Sequence, residues 1–188
     1  MSGNSGAAVA AFAVGLILAL SGCAAPQKAF VSTELRAAAS AADAHVYPLL
    51  IVTDRTVFDP HEAARFGENL RRLGMVSLRL SPHRIDVDLT RRASLREMTD
   101  RTVAALRARV SSDPPGGRFA ITAVYALDEK NRFSSLHAVG VNSEGEEALR
   151  VVLDGSSPQF RERPPTLMYE AADMLATAVA DELGLPRP

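Results

Sequence analysis

The chain offers few groups able to do chemistry, and their spacing decides what each can do. One cysteine, Cys23, and four histidines, His45, His61, His83 and His137, are the available thiol and imidazole ligands. A zinc site gathers several such side chains within about 2.0–2.3 Å of one ion, and its usual sequence sign is HExxH or a paired Cys/His spacing. Neither occurs, so no metal and no cofactor is expected. His137 faces the Phe133 and Val139 side of an expected strand and reads as a packed or hydrogen-bonded histidine. The GxSxG elbow of a serine hydrolase, the Walker motif and GxGxxG are all absent. Asp86 and Asp88 share one face of an extended segment by the two-residue period. Paired carboxylates do acid–base work when their environments separate their pKa values. Flanked by Ile85, Val87 and Leu89, this pair reads instead as the solvent side of an edge strand. No catalytic residue is assigned, and the chain is expected not to be an enzyme.

The most biased segment is 91–110. Arg91, Arg92, Arg96, Arg101, Arg107 and Arg109 stand there against only Glu97 and Asp100. Read as a helix, it places Arg92, Arg96 and Arg107 on one flank. That flank is either a solvated face with intrahelical pairs such as Arg96 with Asp100, or an interaction patch. A patch of this kind suits anionic headgroups, an acidic protein or a cell-wall polymer.

Cys23 closes a different pattern. The first 22 residues contain no Asp, Glu, Lys or Arg, and Ala7 to Leu20 is an unbroken apolar stretch. Its length fits the apolar core of an export signal, about 7–15 residues, and falls short of the roughly 20 that span a bilayer. Leu20-Ser21-Gly22-Cys23 then resembles the lipobox of bacterial lipoproteins. The resemblance implies a diacylglycerol on the Cys23 thiol, with palmitate-type chains. It implies cleavage between Gly22 and Cys23, and often acylation of the new amino group. Ala24 follows, where an Asp commonly retains such lipoproteins at the inner membrane. The implied location is therefore the outer membrane, facing the periplasm. Two or three acyl chains hold a protein on a membrane where one does so only marginally. An acylated Cys23 also leaves no thiol for a disulfide, so the fold must stand on its core.

The composition sets further bounds. Lys plus Arg is 21 and Asp plus Glu 22, a balance that gives no case for nucleic acid. There is no Trp, and aromatic residues are 5%, which argues against a stacking platform for bases or sugars. Apolar residues are 47%, enough for one cored domain. Residues 1–22 read as signal, 23–45 as an anchored tether that is either part helical or an extended linker, and 46–188 as the domain.

Within that domain the expected order is clear. Val46–Thr53 reads as a strand. Asp59-Pro60-His61-Glu62 opens a helix that Gly74 ends. Residues 76–80 and 85–89 alternate as a hairpin or a strand with an extended sequel. A helix over 91–110 follows, and 111–117 is a loop. Strands over 118–127, 132–141 and 147–153, joined by short polar turns, form an antiparallel meander. A long loop presents Phe160 in polar company, and a last helix over 166–183 stops at Gly184. This predicts an α+β fold, a mixed sheet with a three-stranded meander packed against about three helices. By element order it is similar to periplasmic domains of the TolB amino-terminal type. It is equally similar to those of the curli secretion channel lipoprotein and of lipoprotein activators of penicillin-binding proteins. The function expected is a non-enzymatic envelope lipoprotein that binds or positions a protein partner. The alternatives are an anchored envelope hydrolase and a subunit of a homo-oligomeric secretion assembly.

Overall fold

A computed structural model of the chain describes residues 28–114 and 116–185. Cys23, Gly22 and the apolar run before them lie outside the described residues. The expected meander forms as β6 (Phe119–Leu127), β7 (Phe133–Asn142) and β8 (Glu147–Asp154), paired antiparallel throughout. All nine residues of β6 are buried. That is the signature of a strand covered on both faces, and its sequence FAITAVYAL carries no charge because neither face meets water.

Around this meander the sheet grows at both edges. Five more strands are described: β1 (Ala29–Val31), β2 (Ala44–Val46), β3 (Leu49–Val52), β4 (Thr56–Asp59) and β5 (Leu78–Leu80). Their order is β1-β8-β7-β6-β2-β5, with β3 continuing beside β6 and carrying β4 as an antiparallel hairpin partner. The sheet is mixed, because β2 and β3 run parallel to β6 and β2 parallel to β5. The fold class is α+β, as expected.

The first strand expected over 46–53 is two strands with a break at Pro48, which has no N–H to give the ladder. Tyr47 N donates to the Ile121 carbonyl at 2.8 Å, and the buried Thr122 hydroxyl donates to the Pro48 carbonyl at 3.1 Å. The interruption is thereby satisfied by a side chain of the neighbouring strand. The region expected as tether, 23–45, also differs. From Ala29 onward it belongs to the sheet: β1 closes the edge of β8, and β2 begins at Ala44. Between them lies the helix α1 (Thr33–Ala38), capped by the Ser32 hydroxyl on Leu35 N at 3.1 Å. Three-residue strands have too few positions to show a period, so only the long-range ladder reveals them.

The helix α2 (Pro60–Arg72) starts as the capping signal requires, with Asp59 Oδ1 accepting from His61 N at 2.9 Å and Glu62 N at 3.0 Å. The helix α3 (Leu95–Ser112) starts later than the expected Arg91, because Ser94 caps it through Glu97 N. Arg91 N is committed elsewhere, to the Thr53 carbonyl at 2.7 Å. Residues 85–89 form no ladder. Side chains reach them instead: Thr56 donates to the Leu89 carbonyl at 2.9 Å and accepts from its N–H at 2.7 Å, and Arg101 donates to the Asp88 carbonyl at 3.4 Å. Ile85 and Leu89 are nonetheless buried, so the alternation marks a segment laid over the sheet.

A short helix α4 (Pro158–Glu162) occupies the expected loop. Phe160, expected exposed, is 5% exposed and packs into the core. The last helix, α5 (Met168–Leu183), ends at Gly184, whose φ of 70° suits glycine. The helices α1, α2, α4 and α5 cover one face of the sheet, here called the front. The helix α3 and the 85–89 segment cover the back.

Candidate functional site

The arginines of segment 91–110 do not form one patch. Arg92 lies in the turn before Ser94, off the helix, and is exposed. Arg96 and Arg107 sit about three turns apart on one flank, yet each is engaged differently. Arg96 Nε lies 3.4 Å from Asp100. Arg107 Nε donates to the Gly145 carbonyl in the β7–β8 turn at 2.7 Å. Its stem lies so close over that turn that a Cβ on Gly145 would come within 2.9 Å of Arg107 Cγ. Arg101 and Arg109 pair with acids one helical turn away, Glu97 at 2.7 Å and Asp113 at 2.6 Å, and Arg91 pairs with Asp54 at 2.9 Å. Arg150 reaches across from β8 to Asp100 at 3.0 Å and also holds Glu147. These pairs raise the Arg150 pKa and keep its charge fixed. The expected interaction patch Arg92, Arg96 and Arg107 is therefore three separate environments. The Arg96–Asp100 pair is the expected intrahelical one, whereas the Gly145 carbonyl on Arg107 and Arg150 on Asp100 become partners only through the fold.

Beneath α3 lies the most organised polar group of the back face. His137 is fully buried, with Nδ1 2.9 Å from the Thr99 hydroxyl and Nε2 2.8 Å from the Ser135 hydroxyl. Thr99 already donates its proton to the Leu95 carbonyl at 2.9 Å, so it accepts from Nδ1–H. Ser135 must then donate to Nε2, and the ring is neutral. Burial pushes its pKa down to about 4, with Asp154 pulling upward and Arg150 downward. A serine beside an imidazole nitrogen resembles a nucleophile with its base. Here, however, both side chains are sealed, and the third position holds a threonine, which offers no negative charge to an imidazolium. The group clips α3 to the sheet. The expectation of a packed or hydrogen-bonded His137 holds.

The remaining candidates are dispersed. His61 is exposed on α2, and His83 lies in a surface loop 3.9 Å from Asp113. His45 is half-buried on β2. Among the described residues no three His, Cys, Asp or Glu groups converge as metal ligands. Asp86 and Asp88 are exposed, on a segment that is not a strand. The buried Tyr125 hydroxyl has no hydrogen-bond partner among the described residues, and its pKa is pushed up by burial and by Glu62. Burial also raises the Glu62 pKa, against the pull of Arg65 at 3.0 Å.

One surface feature was not legible in the sequence. Between α4 and α5 runs an open groove of about 470 Å³, floored by Met174 and Ala178 and bordered by Glu162, Arg163 and Asp173. Leu167 and Tyr169, 50% and 52% exposed, stand at the amino-terminal end of α5 beside it. The groove's acids are mostly occupied. Glu170 accepts from Thr166 N at 2.8 Å and Leu167 N at 3.2 Å, bonds that hold its pKa down. Asp173 lies 3.7 Å from Arg72. No described helix is long and apolar enough to cross a membrane.

No family model matches the chain, and no curated protein matches it. Among solved structures it is similar to a point variant of the PelC dodecamer from Paraburkholderia phytofirmans. The two share 11% identity over 79% of this chain and 91% of that one, with a TM-score of 0.41. The unsubstituted PelC dodecamer from the same organism gives the same identity and coverage, with a TM-score of 0.39. No residue's role passes from either to this chain.

Proposed function

We propose that the protein is a lipoprotein of the bacterial envelope, anchored through acylated Cys23 to the periplasmic face of the outer membrane. It acts without catalysis, by binding or positioning another envelope protein. The observation that carries this reading is the run Leu20-Ser21-Gly22-Cys23 at the end of an uncharged apolar segment. It stands before a domain in which the Ser135–His137 pair is sealed from solvent. The open groove beside α5, with Leu167 and Tyr169 at its end, is the surface offered to a partner.

The test is metabolic labelling with a palmitate analogue, combined with crosslinked capture from intact envelopes. The full chain should take the label and appear at the mass of a diacylglyceryl product cut before Cys23. Cys23→Ala should take none and leave the membrane fraction. Capture should return one stoichiometric protein, reduced by Leu167→Ser with Tyr169→Ser. An unlabelled, uncut wild type would overturn the anchor. A ladder of self-crosslinks with no other protein would replace the partner reading with a homo-oligomer.

A further inference from the structure

The two faces of the sheet carry separate cores. The front core contains no residue of α3, and the back core none of α2 or α5. Taking α3 away would therefore leave the front packing whole. The back core joins Met98, Leu106 and Val110 of α3 to Val124, Val139 and Val141 of the sheet. Three polar ties add to it: Arg107 on the Gly145 carbonyl, Asp100 on Arg150, and Thr99 on His137. The third alone is fully buried. Thr102, the other buried hydroxyl of α3, is satisfied inside the helix by the Met98 carbonyl at 2.7 Å. The buried tie has places for one ring proton only. Nδ1–H donates to Thr99, Thr99 to the Leu95 carbonyl, and Ser135 to Nε2. A second ring proton makes Nε2 a donor, so Ser135 Oγ must accept. The hydroxyl proton then loses its acceptor, because among the described residues Ser135 Oγ has no other hydrogen-bond partner.

A charge on the ring is no better placed than its proton. Both ring nitrogens face hydroxyls, and no carboxylate touches either. The charged groups around it are committed elsewhere. On β8, Asp154 pairs with Lys28 at 2.6 Å, and Arg150 holds Glu147 at 2.5 Å and Asp100 at 3.0 Å. On α3, Arg96 pairs with Asp100, Arg101 with Glu97 and Arg109 with Asp113. Asp86 and Asp88 point to solvent from the outer segment. The strands β6 and β7 bring no other charged side chain. Burial holds the ring's pKa down to about 4, with Asp154 pulling upward and Arg150 downward. We propose that α3 is an acid-released flap: protonation of His137 lifts it off the back of the sheet as one unit, while α2 and α5 stay packed on the front. Lifting gives the imidazolium the water it lacks inside. It also uncovers Val124, Val139 and Val141, an apolar surface that acid exposes and neutral pH hides. Elements with fewer buried contacts open below the free energy of global unfolding. The thin back core makes α3 such an element.

The test is amide hydrogen exchange of the full chain, read by mass spectrometry at pH 7, 6 and 5. Protection is corrected for the intrinsic exchange rate at each pH. In the open state the ring titrates at its ordinary 6.5, and in the closed state at about 4. Opening therefore becomes easier as pH falls through that window. Protection over 95–112 should drop about threefold from pH 7 to pH 6, and about twentyfold from pH 7 to pH 5. At pH 5 the amides of 168–183 should stay at least about tenfold better protected than those of α3. In His137→Gln, checked for folding by circular dichroism, the drop over 95–112 from pH 7 to pH 5 should shrink below about threefold. If that variant does not fold, the wild-type profile decides alone, because carboxylates with ordinary pKa values barely titrate between pH 7 and pH 6. Equal protection of α3 and α5 at every pH would mean that the chain opens as a single body, and the flap is overturned. Protection of α3 that stays flat from pH 7 to pH 5, or a drop undiminished in His137→Gln, overturns the trigger and the proposal with it.

Discussion

The two faces of the sheet are held in different ways. On the front, α2 and α5 bury large apolar side chains, Phe66, Leu70, Leu175 and Val179 among them. The helix α5 adds buried alanines at 171, 172, 176, 178 and 180, which let it lie close to its neighbours. On the back, α3 contributes fewer large residues but carries Thr99 and Thr102, both buried, together with the Thr99–His137–Ser135 chain. Apolar area is non-directional and roughly additive. A buried hydrogen-bond chain fixes one register, because shifting any member leaves its partner unsatisfied. The front is therefore held by area, and the back by a smaller area plus a polar clip.

The largest effect should come from breaking the front. Phe66 is fully buried between α2 and the sheet. Phe66→Ala should cost about 3–5 kcal/mol, the lost transfer energy plus the cavity left behind. In urea unfolding the midpoint should fall with the slope unchanged. A loss under about 1 kcal/mol would mean that the front collapses onto the gap and does not depend on that ring.

The back should give itself away through pH. His137 in the fold has its pKa pushed down to about 4, against an ordinary 6.5. Above pH 6.5 the ring is neutral in both folded and unfolded chains, and the clip contributes in full. As pH falls from 6.5 toward 4, the unfolded chain binds a proton that the folded chain refuses. Stability is lost across that window, on the order of 3 kcal/mol for this group. Below about 4 the group adds no further slope. Carboxylates titrate there as well, so the diagnostic quantity is the difference from His137→Gln. That variant should show a flatter profile between pH 4 and 6.5. Identical slopes would show that the imidazole exchanges protons freely in the fold. Thr99→Val should cost about 1–3 kcal/mol even at neutral pH, because it strands Nδ1–H in the core.

This contrast also explains what the sequence reveals. The meander, the Asp59 cap of α2 and the Gly184 stop of α5 are local signals, and all appear where the residues predict them. The strand β1 is opposite: its three residues pair with β8 across most of the chain, and no local pattern marks them. The 85–89 alternation is real, but it reports burial of Ile85 and Leu89 and not a ladder, since period two follows from any extended segment lying on a core. At the candidate site, the intrahelical pair Arg96–Asp100 was legible and the long-range partner of Arg107 was not. Arg107 is spoken for by a glycine carbonyl, and nothing in the sequence announces a carbonyl as a ligand. The groove beside α5 depends on Phe160 turning inward, a choice made by the space under β8 and not by the polar residues around it.

The smallest effect sharpens the comparison most, because its sign is unusual. Gly67 lies in the interior of α2 on the front face. A Cβ there would meet Val46 Cγ2 at 3.7 Å and Leu80 Cδ2 at 3.8 Å, ordinary contact distances. Glycine in a helix interior costs roughly 0.5–1 kcal/mol relative to alanine, through the freedom it retains when unfolded. Gly67→Ala should therefore stabilise the protein by about that amount. The contrasting change is Gly117→Ala, whose Cβ would come within 2.8 Å of the Asp43 carbonyl oxygen and must displace backbone. It should destabilise. The urea midpoints of the two variants should move in opposite directions from wild type. If Gly67→Ala also lowers the midpoint, then α2 is seated on β2 and β5 too tightly to accept one methyl group. The front face would then be held by shape as strictly as the back is held by its hydrogen bonds.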